Sequence, residues 1–421
     1  MGAPDNSDKY QLFQRAGTEN WQVRFSVKGH GQIKRSLNTS DRDEAERKAY
    51  ELWYDAQHRA KHGLDVKERS FRDVAEQYIE HLTKCVERGD KTKYVINLDA
   101  PTIRRYFIEY FGDKPIDAIG LKDITKYTEW RKVYWMTGPG AKIESITYKR
   151  AGRIVRRPVY NRKTASPSRL RREAVMLRQI FTFAFKQGYV SANHVPLIET
   201  VKADDNPRAS FTKAEFDKLH MLALRRATED GINRNTMHER RMQFAYINLM
   251  AYSGMRVSDA KTMIWGDVRN YEPPKDGEIR PPTEITLSVR GKKHPRIFIP
   301  HTHARISIDF LYKAWEEWMG RPPEHNDPLF FNRDGSRLKS FSKGLNALLK
   351  QAGLERDHRG QKRAAGSFRH YYIEQMVVNN ISAKIIADNT GTTTDMIDRF
   401  YANVEIHKHA DELRAPWKKS T

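Results

Sequence analysis

The spacing at which apolar residues recur changes along the chain, and this change constrains the fold more than any other sequence feature. Residues 21–27 alternate apolar and polar side chains, Gly29-His30-Gly31 has turn chemistry, and Gln32 to Leu37 reads as a returning strand. Tyr10 to Arg15 supplies a third strand, and a helix with an acidic first turn follows from Ser40 to about Ala60. The first segment therefore predicts a small sheet backed by one helix.

From residue 71 onward the apolar side chains recur at helical spacing. Phe71 to Leu82, Ile103 to Tyr110, Leu121 to Tyr134 and Ser168 to Gly188 each predict a helix of a bundle. A polar, helix-breaking run at 204–207 closes this segment. The bundle follows the N-terminal sheet as a separate domain.

Beyond this boundary the pattern mixes helices with strands. Two strands, in which apolar and polar residues alternate, are predicted on either side of Gly291, at Ile285 to Val289 and at Ile297 to Ile299. Helices fill most of the remaining sequence. The predicted fold class is a multidomain, mainly α protein with small β-sheets. We expect domains at 1–65, 66–207 and 208–421, the last one α+β.

Charge and cysteine content narrow the function class. The 421 residues carry a formal net charge of +22, which indicates a polyanionic partner, and the 38% hydrophobic content is enough for real cores. No uncharged apolar run is long enough to cross a bilayer. A single cysteine, Cys85, excludes disulfide scaffolds and multi-cysteine metal sites. We expect no membrane association, no secretion signal and a cytoplasmic location.

The middle segment contains a basic insertion at about 136–166. It holds eight basic residues against one acidic residue, Glu144. The basic residues are Lys142, Lys149, Arg150, Arg153, Arg156, Arg157, Arg162 and Lys163. A solvated loop is one interpretation, and a DNA-phosphate-contacting insertion is the one favoured by so basic a chain. The N-terminal hairpin is also basic, with Arg24, Lys34 and Arg35 as candidate DNA contacts.

Chemistry is indicated by residues of the last segment. At Ser253-Gly254-Met255-Arg256 a helix reaches a glycine stop and restarts, so that Arg256 sits in a tight junction. Asp259, one turn later, either orients this arginine or caps the helix. Arg369 follows at the opening of another helix.

The order of these motifs resembles the catalytic domain of the tyrosine recombinases, the phage-integrase family, over about residues 208–410. The similar motifs are Ser253 to Asp259, Gly291-Lys292 with Arg296 to Pro300, Ser367 to His370, and Asp395 to Tyr401. The middle bundle is similar to the family's core-DNA-binding domain, and the first sixty residues to its arm-binding sheet.

The resemblance implies a site-specific DNA recombinase, or integrase, that forms a 3′-phosphotyrosyl intermediate and integrates or excises a mobile element such as a phage genome. Arg256 and Arg369 would bind the phosphate, because planar guanidiniums satisfy two oxygens at once. Tyr401 would be the nucleophile, and Lys292 in its turn the general acid, with Lys293 as the alternative. This chemistry needs no metal or other cofactor.

Two positions depart from the family pattern. At the position of Gly366 the family usually has histidine. At the position of Thr392 it usually has histidine or tryptophan. The Thr392 hydroxyl can still donate a hydrogen bond to phosphate, and His370 either compensates or packs. Tyr371 and Tyr372 are interpreted as core residues. A DNA-binding protein with weakened chemistry and a type IB-like topoisomerase therefore stay as alternatives.

The resemblance also implies partners. These are double-stranded DNA attachment sites and three further copies of the chain, in a tetramer contacted through Val404 to Leu413. Host DNA-bending proteins and excisionase-type factors are candidate accessory partners. The expected compartment is the bacterial cytoplasm or nucleoid.

Overall fold

A computed structural model describes residues 8–150, 152–199, 209–274, 284–289 and 295–399. The chain divides into two compact units, residues 1–205 and 206–421. The fold is mainly helical with three small sheets. No helix in the described ranges is both long and apolar enough to cross a membrane.

The N-terminal unit begins with the predicted three-stranded sheet and helix. The antiparallel strands β1 (Gln11–Gln14), β2 (Trp21–Val27) and β3 (Gly31–Ser36) lie in the order β1-β2-β3. Helix α1 (Arg42–Lys61) begins after Asp41, whose carboxylate accepts hydrogen bonds from two backbone amides of the first turn. Alternate residues of β2 and the alanines of α1 form a small core between sheet and helix.

The same unit continues with a helical bundle around a second core. Pro101 lies inside its second helix, and Ile103–Ile108 form a π-helical turn directly after it. The helices are α2 (Phe71–Glu87), α3 (Lys93–Thr102), α4 (Glu109–Phe111), α5 (Leu121–Val133) and α6 (Pro167–Lys186). The core consists of their apolar positions at helical spacing, as the sequence pattern predicts.

A buried ion pair joins α5 to α6. The Arg131 guanidinium donates twice to the Glu173 carboxylate, with Nη2–Oε1 2.9 Å and Nε–Oε2 3.0 Å, and both side chains are at most 3% exposed. The Tyr127 hydroxyl donates to the same carboxylate at 2.9 Å, and Arg131 lies over the Tyr106 ring. This network supplies a polar anchor inside an otherwise apolar bundle.

Removing Glu173 is expected to destabilise the bundle strongly. Glu173→Ala leaves the Arg131 charge buried without its partner, which costs about 3–5 kcal/mol. Glu76→Ala is the matched control, because Glu76 also pairs with an arginine, Arg104, but in solvent, where such pairs contribute about 0–1 kcal/mol. Urea unfolding of the full chain measures both changes; equal losses in the two variants would contradict a structural role for the buried pair.

The basic insertion contains a β-hairpin that the sequence pattern does not predict. Strands β4 (Ser145–Arg150) and β5 (Arg153–Pro158) pair antiparallel, and no third strand joins them in the described part of the chain. Arg153, Arg156 and Arg157 are exposed, and Ile154 is 72% exposed. The insertion is therefore a hairpin and not a loop. Its two predicted roles, a solvated element and a contact with DNA phosphates, stay predictions.

The C-terminal unit is built around one central helix. Its helices are α7 (Lys213–Ala227), α8 (Arg234–Ser253), α9 (Val257–Ala260), α10 (Ala304–Met319), α11 (Ser342–Ala352), α12 (Gly366–Val378) and α13 (Ala383–Thr390). Every side chain of α8 from Met242 to Ala251 is buried, and α7, α10 and α12 pack around it. The Thr212 side chain caps α7, and the Ser210 hydroxyl donates to the Glu374 carboxylate.

A small antiparallel sheet lies at one side of this unit, with strands β6 (Val268–Arg269), β7 (Thr286–Val289) and β8 (Arg296–Phe298) in that order. The two predicted strands are thus β7 and β8. The turn between them lies outside the described residues. Strand β8 also contacts α13, and this contact forms one wall of the site described below.

Candidate active site

The turn between α8 and α9 presents Arg256. Helix α8 ends at Gly254 in the left-handed region, with φ +62°, and a Cβ atom at this position would collide with the Tyr372 ring. Glycine therefore satisfies both the backbone conformation and the close approach of α12. Arg256 has extended backbone at the start of α9, and its side chain is exposed. The predicted helix stop and restart is confirmed.

Arg369 lies in the first turn of α12 and is half-buried. Its Nη1 atom donates to the carbonyl oxygen of Gly254 at 2.7 Å and to that of Thr390 at 2.8 Å. This guanidinium thus connects the end of α8 to the end of α13. The glycine turn and the second arginine, which lie 115 residues apart in the sequence, meet at one place.

The C-terminal end of α13 is the point on which the arginines converge. The last carbonyl groups of a helix have no partner inside the helix, and they carry the negative end of its dipole. Here arginine side chains supply the missing donors. They are Arg296 on the carbonyl oxygen of Asn389, Arg369 on that of Thr390, and Arg256 on that of Gly391. Three guanidiniums are held around three consecutive oxygen atoms, and the two on Thr390 and Gly391, from Arg369 and Arg256, can donate charge-assisted hydrogen bonds to an oxyanion.

Asp259, for which the sequence left open a role in orienting Arg256 or in capping the helix, lies beside Arg296. Its Oδ2 atom lies 3.8 Å from Arg296 Nη2, and its Oδ1 atom accepts from the Ser258 hydroxyl at 3.2 Å. Burial lowers the pKa of the Arg296 guanidinium, and the nearby charge of Arg256 lowers it further. The carboxylate therefore offsets a concentration of positive charge.

The two positions at which the family usually has histidine lie on the two elements that carry this site, α12 and the end of α13. Gly366 begins α12, and Thr392 is half-buried directly after the left-handed Gly391, with its amide donating to the Ala387 carbonyl at 3.1 Å. His370 is half-buried beside Arg369 on α12. None of the described residues form a group of three or more histidine, cysteine or carboxylate side chains that could hold a metal.

Tyr371 and Tyr372 are core residues, as expected from their position in α12. Both are 4% exposed, Tyr371 stacks on Phe216 at 4.5 Å, and the Tyr372 hydroxyl accepts from Asn389 at 3.1 Å. Burial raises the pKa of both phenols. A buried phenol with a raised pKa is a poor nucleophile, which argues against either tyrosine as the attacking group.

Lys292, Lys293 and Tyr401 lie outside the described residues. The described chain stops at Val289 before the two lysines and resumes at Pro295, and residues 394–399, which are helical, precede the tyrosine. The C-terminal segment Val404 to Leu413, expected to contact another protomer, also lies outside the described residues. The roles of these residues stay predictions.

The predicted DNA contacts of the N-terminal sheet separate into two sets. Arg24 and Lys34 are paired across β2 and β3 on the face opposite the buried Val23 and Phe25. Arg35 is instead paired with Val23, on the core side of the edge strand, and lies 3.7 Å from Glu68. The structure thus brings Arg24 and Lys34 together and leaves Arg35 apart from them.

The basic insertion presents its cations in solvent. Arg153, Arg156 and Arg157 lie on β5, and Arg162 and Lys163 follow it, all exposed. Lys149 and Arg150 lie on β4, opposite Ile154 and Arg153 in the register. The exposure of the five cations on and after β5 makes that side of the hairpin available to a partner.

Sequence reasoning missed Arg296 and Asn389. Arg296 was seen only as part of a strand motif, although a signal was present: it shares a strand face with Phe298, which is buried. A charged residue on the core side of a strand needs a partner, and its position therefore predicts one. Asn389 carries no such signal, because its partners, the Ile299 backbone and the Tyr372 hydroxyl, are distant in sequence.

The chain is similar to one known protein family and to several solved structures. Residues 220–407 match the Phage integrase family. No curated protein sequence matches the chain. The fold is similar to that of lambda integrase in a dimer bound to a COC′ core site, with TM-score 0.52 and 17% identity over 99% of this chain and 98% of the other.

Two further solved structures share the fold at low identity. They are the XerH recombinase bound to a palindromic difH substrate, with TM-score 0.51, 15% identity and coverage of 87% and 89%, and the Tn1549 transposon integrase with circular intermediate DNA, with TM-score 0.53, 14% identity and coverage of 82% and 99%. The architecture from the N-terminal sheet to the last described helix is thus the one found in lambda integrase. Residues 220–407 of the chain thus match the phage integrase, or tyrosine recombinase, family.

Proposed function

We propose that this protein is a site-specific DNA recombinase that cuts and rejoins duplex DNA through a 3′-phosphotyrosyl intermediate. The observation that carries the proposal is the convergence of Arg256 and Arg369 on adjacent carbonyl oxygens at the end of α13. The family match supplies the reaction class, and solved relatives were crystallised with DNA as dimers on core sites and as a tetramer on a Holliday junction.

The carbonyl oxygens are acceptors that phosphate oxygens would replace in part when DNA binds. Arg256 is exposed, and Arg369 is half-buried and donates to two backbone carbonyl groups. A scissile phosphate carries full negative charge and gains more as an oxygen attacks it, so charge-assisted hydrogen bonds from guanidiniums stabilise the transition state. The arginines would exchange at least part of their carbonyl contacts for phosphate contacts.

Tyr401 would supply the attacking oxygen. Its phenol oxygen forms a bond to phosphorus while the bond from phosphorus to the 5′ oxygen breaks. The phenol proton passes to solvent water, and Lys292, or Lys293, donates a proton to the leaving 5′ oxygen and regains one from solvent. The 5′-hydroxyl of a second strand then reverses these steps on the phosphotyrosine, so that strands are exchanged without an external energy source.

A DNA-binding protein with weakened chemistry is the second candidate. Gly366 and Thr392 favour it, because neither side chain can act as the imidazole that the family usually has there. Thr392 would still donate to a phosphate oxygen, and His370 is the imidazole closest in sequence to Arg369. A topoisomerase that reseals without exchanging partners shares the first step and differs only in the product.

A pool of nicked duplexes with random central sequence tests the proposal. A nick near the cut lets the short 5′-hydroxyl strand diffuse away, which traps the covalent complex. We expect a protein–DNA adduct that survives SDS and that enriches one sequence over successive rounds. Tight binding of an enriched sequence with no adduct would favour the DNA-binding protein, and resealing without exchange between two duplexes would favour the topoisomerase.

We also propose that each of the three expected domains contacts DNA. Arg24 and Lys34 would contact an arm-type site, residues 66–207 and 208–421 the core site, and Val404 to Leu413 a neighbouring protomer in a tetramer. DNA-bending and excisionase-type factors would set the direction of the reaction. The exposed β4–β5 hairpin supports the second of these contacts.

Removing charge from the hairpin is expected to change the salt dependence of DNA binding. In Arg153→Gln/Arg156→Gln/Arg157→Gln, the slope of log affinity against log salt should fall by about one unit for each DNA phosphate that the hairpin no longer neutralises. The matched Arg→Lys triple variant keeps the charge and should keep the slope. Titration of a non-specific duplex by fluorescence anisotropy measures this. An unchanged slope in the Gln variant would return the hairpin to a solvated element.

A further inference from the structure

We infer that Arg296 is a positioning residue for strand cleavage, which holds the end of α13 against β8. The inference rests on the proposed function and goes beyond the arginine, lysine and tyrosine roles given above. Arg296 lies four residues after Lys292, and α13 ends shortly before the helical residues 394–399 that lead to Tyr401. A link between β8 and α13 therefore joins the two segments that carry the proposed acid and nucleophile.

The link has two parts, a guanidinium and an amide. Arg296 Nη1 donates to the backbone carbonyl of Asn389. The Asn389 side chain accepts from the Ile299 amide at 2.8 Å and donates to the Ile299 carbonyl at 3.0 Å, as a neighbouring strand would. It also donates to the Tyr372 hydroxyl at 3.1 Å. These contacts fix the helix end in translation and rotation relative to the strand.

Gly391 completes the fit. Its φ of +69° is in the left-handed region, and a Cβ atom there would lie 2.8 Å from Arg296 Nε and 2.9 Å from Cζ. The guanidinium thus lies directly against the Gly391 backbone, which a larger residue would push away. The Gly391 carbonyl is the acceptor of Arg256, so a displacement of this residue would be felt at the phosphate site.

Arg296 is placed to act through its neighbours and not on DNA. Its side chain is 19% exposed, whereas Arg256 is exposed. It lies over the Phe298 ring, 5.1 Å from the centroid, and its Nη2 atom points to Asp259. This low exposure leaves Arg296 little access to DNA, so its effect on phosphate would pass through residues 389–392.

The ion pair with Asp259 is incomplete. Arg296 Nη2 and Asp259 Oδ2 are buried without a hydrogen-bond partner and lie 3.8 Å apart. Burying unsatisfied charged groups is costly, and a shift of about 1 Å would bring the pair into hydrogen-bond distance. A small movement of Arg296 towards Asp259 would therefore complete this ion pair.

The test separates strand cleavage from binding. Arg296→Met is expected to lower the single-turnover rate of adduct formation at saturating DNA by about 10- to 100-fold, the scale of a misplacement of about 1 Å. The dissociation constant for the selected duplex should change less than threefold, about 0.65 kcal/mol. Arg296→Lys keeps the charge and one donor, and it should recover part of the rate. Asn389→Ala, which breaks the second part of the link, should show the same split.

Arg305→Met is the matched control. Arg305 is similarly buried at 14% exposed, lies 3.4 Å from Asp309, donates to the Glu272 carbonyl at 2.9 Å and lies over the Tyr271 ring. Its loss should lower the melting temperature without a selective loss of cleavage rate. Equal loss of rate in the Arg305 variant, or wild-type rates in both Arg296→Met and Asn389→Ala, would overturn the inference. An absence of adduct with the wild-type protein would instead overturn the proposed function.

Discussion

The Tyr401→Phe variant is expected to bind duplex DNA as tightly as the wild type and to form no covalent adduct with it. Phenylalanine keeps the ring and removes only the oxygen that would bond to phosphorus, so the chemical step has no nucleophile. Adduct formation on the nicked duplex, followed in SDS gels, measures the loss. Dissociation constants from the same preparation show whether binding is retained.

Tyr371→Phe is the control for this change. It also removes one phenol oxygen, but from a residue that is 4% exposed and stacked on Phe216 in the core. Its adduct yield should equal that of the wild type. An adduct that persists in Tyr401→Phe and disappears in Tyr371→Phe would place the nucleophile on α12.

Arg369→Ala is expected to lower the cleavage rate by about 10²–10³-fold, the scale measured for removing one donor from an oxyanion site, or about 2.7–4 kcal/mol. The change removes a phosphate donor and also leaves the carbonyl groups of Gly254 and Thr390 without this partner. Single-turnover cleavage at saturating DNA isolates the first effect, and thermal unfolding measures the second.

The Arg369→Lys variant separates charge from geometry. Lysine keeps the positive charge but cannot donate in two parallel directions, so its rate should lie between those of the wild type and the alanine variant. A cleavage rate within threefold of wild type in Arg369→Ala, with DNA saturating, would remove Arg369 from the phosphate site.

Much of the fold could be predicted from hydrophobic period. The N-terminal strands and most helices follow alternating or helical patterns because each buries one face. The β4–β5 hairpin could not be predicted in this way. Arg153, Ile154, Arg156 and Arg157 are all exposed, so there is no contrast between an inner and an outer face to read in the sequence.

The candidate site was predictable in part. Arg256 and Arg369 stand out because each lies at a helix start with turn chemistry beside it. The partner of Asp259 was not predictable, since Arg296 lies on a strand beyond a segment whose path the sequence does not specify. Both the Asp259–Arg296 pair and the convergence of the arginines on α13 join segments that are distant in sequence and meet only in the folded chain.

The most direct test of the central claim is to identify the amino acid that carries DNA in the trapped complex. Nuclease trimming, trypsin digestion and mass spectrometry should find a nucleotide 3′-phosphate on the peptide Phe400 to Lys408, in which Tyr401 is the only tyrosine. The released strand should end in a 5′-hydroxyl that polynucleotide kinase labels without prior phosphatase treatment. Attachment to any other residue, or through a 5′-phosphate, would contradict the account.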